Sequence, residues 1–170
     1  FVNRTFLSSV RSDVRSSVRS MSCQTIGESL KTVLLVNPPQ SYFEQSQGFS
    51  VYFPLGLLYP AAMLRDISTV VVYDCLVQNA VQEKRGDITI YGAPPEKIRE
   101  CMEKVRPDIV GITVPFTAQY ENAVMVSRLC REARPGAVIV MGGPDPSVRY
   151  RGILESGHAD YCVVGEGELS

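Results

Sequence analysis

The chain of 170 residues contains no tryptophan and a single histidine, His158. A metal site built from several imidazoles is therefore excluded within this sequence. The five cysteines are scattered and include no C-x-x-C pair, so neither a zinc site nor an iron–sulfur cluster site is readable. An odd number of cysteines without a disulfide framework is typical of a reducing compartment, and we predict a cytoplasmic protein.

Excess charge and long hydrophobic runs are also lacking. The net charge of -1 argues against a partner that is bound through phosphate neutralisation, so we predict no nucleic-acid partner. The longest apolar run, around Leu55 to Leu64, is interrupted by Pro60 and is much shorter than a membrane span. We therefore predict no membrane partner. A hydrophobic content of 45% is enough for the core of one ordinary domain.

The first thirty residues differ from the rest in composition. They include the low-complexity stretch S-S-V-R-S-D-V-R-S-S-V-R-S, which offers little to bury. We predict that residues 1–30 are a disordered or extraneous segment, with Met21 as the natural start of the protein. An Arg- and Ser-rich presequence is the alternative. The predicted domain is 31–170, and its end directly after a glycine-rich loop suggests a binding module cut from something longer.

Five short, mostly β-branched runs alternate with helical segments along 31–170. This order predicts right-handed crossovers and an α/β fold. We expect a doubly wound five-stranded parallel sheet in three α/β/α layers, Rossmann-like or flavodoxin-like, with strand order 2-1-3-4-5. Residues 40–53 read as an aromatic loop, and 87–91 as a small extra strand. The predicted strands are Thr32–Val36, Thr69–Tyr73, Ile109–Thr113, Ala137–Met141 and Tyr161–Val164, and the helices are 54–65, 95–105, 117–133 and 147–156.

Ligands of open parallel sheets bind at the carboxyl ends of the strands, where three loops here are rich in glycine, proline or threonine. They are T-V-P-F-T at 113–117, G-G-P-D-P at 142–146 and G-E-G-E at 165–168. The first loop, Asn37-Pro38-Pro39, supplies neither G-x-G-x-x-G nor a P-loop. Gly142 and Gly143 permit close approach of a bulky ligand. The hydroxyls of Thr113 and Thr117 can contact that ligand or cap the following helix, and the two roles are compatible.

Six segments in a fixed order carry a more specific signal: V-N-P-P, P-L-G-L-L-Y-P-A-A-M-L-R, V-Y-D, P-D-I-V-G-I-T, V-I-V-M-G-G-P-D-P and D-Y-C-V-V-G-E-G-E. Together they resemble the N-terminal cobalamin-binding domain of B12-dependent radical SAM enzymes, over Lys31 to Leu169. The resemblance implies that the nucleotide tail of cobalamin threads into the domain while the corrin ring lies at the strand ends. It implies that the tail contacts Thr113, Val114, Pro115, Phe116, Thr117, Gly142, Gly143 and Pro144. Gly165, Glu166 and Gly167 would lie beside the tail. The corrin ring would be faced by Asn37, Pro38 and Pro39, together with 54–56.

Two departures refine this expectation. The D-x-H-x-x-G loop of methionine synthase and the mutases has no counterpart here, so we expect base-off cobalamin without a histidine ligand and a surface position for His158. The C-x-x-x-C-x-x-C motif is also absent. The resemblance therefore places the [4Fe–4S] cluster and S-adenosylmethionine in a missing downstream radical SAM barrel.

We expect no catalytic residue in this chain and a methyltransferase, or a cyclising variant, as the parent enzyme. A cofactor-free docking or substrate-recognition domain of the same fold is the alternative.

Overall fold

The computed structural model describes residues 30–43 and 51–167. The prediction for residues 1–30 falls, except for Leu30, outside the described residues. In chain order the elements are β1 (Thr32–Asn37), β2 (Gln40–Phe43), α1 (Leu55–Leu64), β3 (Thr69–Asp74), β4 (Val81–Arg85), β5 (Ile88–Gly92), α2 (Pro95–Val105), β6 (Ile109–Thr113), a 3-10 turn (Thr117–Gln119), α3 (Tyr120–Ala133), β7 (Val138–Gly142), α4 (Pro144–Glu155) and β8 (Tyr161–Cys162).

The described residues form a five-stranded parallel sheet in the order β3-β1-β6-β7-β8. Counted along the chain, this order is 2-1-3-4-5, and the predicted α/β topology is confirmed. A smaller antiparallel sheet has the order β2-β5-β4. Its strand β5 confirms the extra strand predicted near 87–91. The prediction of a loop over 40–53 is wrong for Gln40–Phe43, because pairing with β5 supplies backbone partners that the local sequence does not reveal.

Several element boundaries also differ from prediction. Helix α4 begins at Pro144 rather than Ser147, because the fixed φ of proline suits the first turn of a helix. Pro60 lies inside α1, where it cannot donate a hydrogen bond to the Gly56 carbonyl. The last strand comprises only residues 161–162, two positions shorter than predicted.

Alternate side chains of the parallel strands face two different layers. Leu34, Ile112 and Met141 belong to the larger core, which packs against α2, α3 and α4. Val33 and Leu35 point to the other face and pack against Leu57 of α1. Among the described residues, α1 is the helix on that second face, and it covers mainly β1 and β3. The second face of β6 and β7 is therefore left beside an open space.

None of the helices within the described ranges combines the length and the apolar character needed to cross a lipid bilayer.

Candidate functional site

A cavity of about 310 Å³ lies between the second face of the sheet and α1. Its floor is formed by alternate residues of β1, β6 and β7, and α1 forms one wall. From Ile109 to Thr113, β6 extends roughly 13 Å at the usual rise of a strand, which gives the scale of the floor. The lining residues are Val33, Leu35, Gly56, Leu57, Pro60, Met63, Leu64, Ile67, Ile109, Gly111, Ile112, Thr113, Val140, Gly142, Gly143, Val163, Gly165, Glu166 and Gly167.

Two of the predicted loops meet at the carboxyl edge of the sheet. Thr113 pairs with Gly142 in the β6–β7 register, and the N–H of Val114 donates to the Gly142 carbonyl oxygen at 2.8 Å. Gly143 has φ of +111°, and a Cβ there would lie 2.9 Å from the carbonyl oxygen of Val114. The backbones of the two loops are therefore in direct contact, and this contact requires glycine at 143.

The third loop extends from the end of β8 toward α1. A Cβ at Gly167 would lie 3.3 Å from Cγ of Pro60, so the loop passes close to the helix. Gly142 has more room, since a Cβ there would meet Val163 at 3.4 Å. The cavity thus opens at the carboxyl edge between glycine-containing loops and α1.

The polarity of the lining changes with depth. Among the described lining residues, Thr113 and Glu166 have polar side chains. Thr113 is the last residue of β6, and Glu166 follows the end of β8. The far end is formed by hydrocarbon side chains such as Val33, Ile109 and Leu64. A ligand that enters at the carboxyl edge therefore meets polar groups first and an aliphatic compartment beyond them.

The first turn of α4 ties the 113–117 loop to the 142–146 loop through Asp145. Thr117 Oγ1 donates to Asp145 Oδ1 at 2.6 Å, and the Asp145 N–H donates to the Val114 carbonyl at 3.3 Å. Arg149 donates to both carboxylate oxygens, from Nε at 2.8 Å and Nη2 at 2.9 Å. Burial by itself would raise the pKa of Asp145, but the hydrogen bonds from Arg149 and Thr117 outweigh it and lower that pKa.

Ser147, on the same turn, connects the second and third loops. Its Oγ donates to the Gly143 carbonyl at 2.9 Å and accepts the N–H of Gly165 at 3.0 Å. Asp145 and Ser147 therefore hold all three loops from one helical turn. Sequence reasoning missed both roles, although the P-D-P-S segment directly after a strand could have indicated a helix start rather than a loop.

The structure brings only part of the predicted cofactor set into the cavity. Thr113, Gly142, Gly143, Gly165, Glu166 and Gly167 line it. Val114 is buried behind the lining, Pro115 is half-buried, and Phe116, Thr117 and Pro144 are exposed outside it. The 3-10 turn and α3 both begin without a side-chain hydrogen bond at the N-cap, so the capping alternative for Thr113 and Thr117 is wrong.

The first loop is not part of the lining. Asn37, Pro38 and Pro39 are buried, and Asn37 Nδ2 donates to Asp74 Oδ1 at 2.9 Å. A Cβ at Gly92 would lie 2.7 Å from Pro39 Cα, so β5 packs directly on this loop. The lining residues that sequence reasoning missed come mostly from the strands and α1, with Ile67 after α1 and Val163 after β8. Their signal was the alternation along each strand, which places Ile109, Gly111 and Thr113 on one face.

His158 lies outside the cavity lining. It is half-buried, and its Nδ1 is 2.8 Å from the hydroxyl oxygen of Tyr120. His158 is partly exposed, in line with the predicted surface position, and the Tyr120 hydroxyl supplies a partner within the fold. Across residues 30–43 and 51–167, no group of three His, Cys, Asp or Glu side chains is arranged to hold a metal ion.

Comparison with known proteins adds a family and several relatives. The sequence model of the B12 binding domain matches residues 49–170. Cytidylyl-2-hydroxyethylphosphonate methyltransferase of Streptomyces wedmorensis is 31% identical over 143 residues, which are 81% of this chain and 27% of that protein. An uncharacterized methyltransferase of Pyrococcus horikoshii is 32% identical over 145 residues, 83% of this chain and 28% of that protein. The chain thus spans just over a quarter of the length of these curated relatives.

Among solved structures, a novel cobalamin-binding protein from Desulfitobacterium hafniense is similar in fold. The match has a TM-score of 0.53 at 13% sequence identity and covers 82% of this chain and 56% of the other. The family match covers well over half of the sequence and includes the three loops at the carboxyl edge. This chain belongs to the B12-binding domain family.

Proposed function

We propose that this chain is the cobalamin-binding part of a methyltransferase and that the nucleotide tail of cobalamin occupies the cavity between α1 and the sheet. One observation carries the proposal. In a chain of the B12-binding family, a cavity opens at the carboxyl edge of the sheet through loops that contain Gly142, Gly143, Gly165 and Gly167. Ligands of open α/β sheets bind at this edge.

The size of the cavity fits the tail rather than the whole cofactor. Its volume of about 310 Å³ is at the lower limit of ordinary small-molecule pockets, roughly 300 to 1,000 Å³. We therefore propose that the tail enters the cavity while the corrin ring stays outside, above the carboxyl ends of the strands. Thr113, Gly142 and Gly143 would lie along the tail, with Gly165 to Gly167 beside it. Residues 54–56 would face the ring, whereas Asn37 to Pro39, predicted to face it, are buried beneath β5 and would not.

We propose that the cofactor is bound base-off and without a histidine ligand. The described lining contains no histidine, and Nδ1 of His158 is close to the Tyr120 hydroxyl instead. When bound, cobalamin supplies a cobalt centre that can carry a transferable methyl group. The role of this chain is to hold and orient the cofactor, and it includes no catalytic residue.

The parent protein in this proposal is a radical SAM methyltransferase, in which a barrel outside this chain holds a [4Fe–4S] cluster and S-adenosylmethionine. Both curated relatives are called methyltransferases, and the chain covers just over a quarter of each. The ordered sequence segments described above resemble the cobalamin domain of such enzymes. A C-x-x-x-C-x-x-C motif in the continuing reading frame would support this context, and an unrelated continuation would contradict it.

A large apolar surface on and before α1 agrees with a partner domain. Tyr52 and Phe53 are 77% and 85% exposed, and Leu55, Tyr59 and Met63 are exposed on the helix. Apolar side chains exposed close together in the sequence are typical of contact sites. We propose that the barrel of the parent enzyme covers it.

The test is a titration of the 170-residue chain with hydroxocobalamin, followed by corrin absorbance and by retention through gel filtration. The variant Gly142→Val adds side-chain volume at the mouth without a strained φ, since Gly142 is not among the positive-φ glycines. Its control is Gly152→Val, where a Cβ meets nothing within 4 Å. We expect Gly142→Val to weaken binding at least about tenfold, or 1.4 kcal/mol, and Gly152→Val to leave it unchanged.

A free-corrin spectrum at micromolar protein, with no retained corrin, would contradict the proposal and favour the cofactor-free docking domain. Equal affinities of the two variants would remove the cavity from the binding site.

A further inference from the structure

We propose that the cavity selects corrinoids by the polarity of the nucleotide base, accepting apolar bases of the benzimidazole or phenol type and disfavouring purines. This inference rests on the proposed function, because it assigns the tail to the cavity. It concerns the deep half of the cavity, beyond the loops at the mouth.

The direction of entry decides which part of the nucleotide meets which wall. With the corrin ring at the carboxyl edge, the phosphate and ribose pass the mouth, where the Thr113 hydroxyl can donate a hydrogen bond and the Glu166 carboxylate can accept one from a ribose hydroxyl. The base is the far end of the tail and reaches the compartment that runs from Val140, midway along the floor, to Val33 and Ile109 at its far end. Thr113 lies about 13 Å along β6 from Ile109, so its hydroxyl remains beside the sugar.

The floor of this compartment has no polar side chain, and its backbone offers no free hydrogen-bonding group to a bound base. Strand β6 is hydrogen-bonded to β1 on one side and to β7 on the other, with Val33 paired to Ile109 and Gly111 paired to Val140. The N–H and C=O groups of these central strands are thus used within the sheet. On the opposite wall, Leu57, Met63 and Leu64 add only hydrocarbon and thioether groups.

An adenine in this compartment would leave its amino group and ring nitrogens without hydrogen-bond partners. A methylated benzimidazole or a phenol-derived ring brings few such groups or none. A buried polar group without a partner lowers affinity by roughly 5- to 150-fold. The compartment therefore distinguishes bases by what each one would leave unpaired.

The experiment compares three corrinoids on the full 170-residue chain: p-cresolyl cobamide, adeninyl cobamide and cobinamide, which lacks the nucleotide. The p-cresolyl base cannot coordinate cobalt, so its binding carries no cost for releasing the base from the metal. Dissociation constants are measured by ultrafiltration with corrin absorbance. We expect p-cresolyl cobamide to bind at least roughly tenfold more tightly than adeninyl cobamide, with the adeninyl form close to cobinamide.

A variant locates the selectivity in the cavity. Val140→Thr places a hydroxyl on the floor at nearly constant volume, and we expect it to reduce the p-cresolyl-to-adeninyl affinity ratio. Val148→Thr is the control, because Val148 is 81% exposed on α4. An unchanged ratio in Val140→Thr would overturn the assignment to this compartment. If that variant does not fold, the comparison on the unaltered chain decides the proposal.

The remaining outcomes separate the two proposals. Equal affinities for p-cresolyl and adeninyl cobamides, both tighter than cobinamide, would overturn the selectivity and leave the tail site intact. If cobinamide binds as tightly as p-cresolyl cobamide, the nucleotide tail does not contribute to binding. That result would contradict a tail in the cavity and overturn the inference. Failure of all three corrinoids to bind would overturn the proposed function together with the inference.

Discussion

Thr117 and Asp145 belong to different loops, yet the threonine hydroxyl donates to the aspartate carboxylate at 2.6 Å. The side chain of Asp145 is 1% exposed, and Arg149 completes its hydrogen bonding from the solvent side. A buried carboxylate with charged and neutral donors is stabilising only while its partners remain in place. This pair therefore connects the geometry of the cavity mouth to the stability of α4.

Replacement of Asp145 by asparagine should destabilise the fold. The amide can still accept a hydrogen bond from Thr117, but it loses the charge that pairs with Arg149. We expect a decrease of about 1 to 3 kcal/mol in the free energy of unfolding, measured by urea denaturation. Asp66→Asn is the control, since the Asp66 side chain is 81% exposed in its pair with Arg65, and it should change stability by less than about 0.5 kcal/mol. Equal effects of the two variants would contradict the role given to Asp145.

The stability should fall in acid below about pH 4, because two carboxylates titrate lower in the folded state than in the unfolded state. Burial by itself would raise the pKa of Asp145 and of Asp160. Hydrogen bonds from Arg149 to Asp145 and from Arg131 to Asp160 outweigh burial, so both pKa values are lowered. Their contribution is complete above the unfolded pKa and is lost as the pH falls through the folded pKa. Urea unfolding between pH 7 and pH 2 should show the stability difference between the unaltered chain and Asp145→Asn becoming smaller in acid. A constant difference would contradict this account.

Ser147→Ala should loosen the third loop with little change in global stability. The variant removes both the hydrogen bond to the Gly143 carbonyl and the acceptor for the Gly165 N–H. We expect faster hydrogen exchange of the Gly165 amide and a loss of no more than about 1.5 kcal/mol in unfolding free energy. Ser156→Ala is the matched control, since Ser156 Oγ donates to the Ile153 carbonyl at the other end of α4. Unaltered exchange at Gly165 would show that Ser147 does not hold this loop.

Gly143→Ala should destabilise the protein more than Gly86→Ala. Both glycines have positive φ, but a Cβ at 143 would lie 2.9 Å from a carbonyl oxygen, whereas a Cβ at 86 meets nothing within 4 Å. We expect a cost of roughly 1 to 2 kcal/mol for the backbone conformation at 86 and a larger cost at 143. Thermal and urea denaturation of the two variants measure this difference, and the reverse order would contradict the close contact of the loops.

Cys130 and Cys162 should resist alkylation in the folded protein. Burial raises the pKa of each thiol to about 11, which leaves a thiolate fraction of about one in a thousand at pH 8. Iodoacetamide labelling with peptide mass spectrometry should show slow modification of both cysteines in buffer and rapid modification in urea. Rapid labelling of both in buffer would show that these thiols are not buried.

The sheet topology was predictable because the parallel strands read as short, mostly apolar runs, as in Thr32–Asn37, that alternate with helical segments. The start of α4 was not predictable from the sequence, because Gly143 and Pro144 have the composition of a loop while their backbone leads into a helix. The strand Gln40–Phe43 was missed because its partner is β5, far along the chain.

The mouth of the cavity was partly predictable and its interior was not. Gly142 and Gly143 are visible as a pair in the sequence, and strand ends are expected at one edge of the sheet. Val33, Ile109 and Val140 look like ordinary core residues. Their place in a cavity depends on α1 covering only part of the second sheet face, which is a property of the tertiary structure.

The interior position of β1, between β3 and β6, has a consequence for synthesis on the ribosome. The strand is among the first described segments to be made, but Val33 pairs with Val70 on one side and with Ile109 on the other. Its two neighbours are therefore supplied only after the chain has been translated through β6. Until then the T-V-L-L-V segment has no complete set of partners, and an apolar strand in that condition is prone to aggregate. Translation through Thr113 is thus the earliest point at which the middle of the sheet can close.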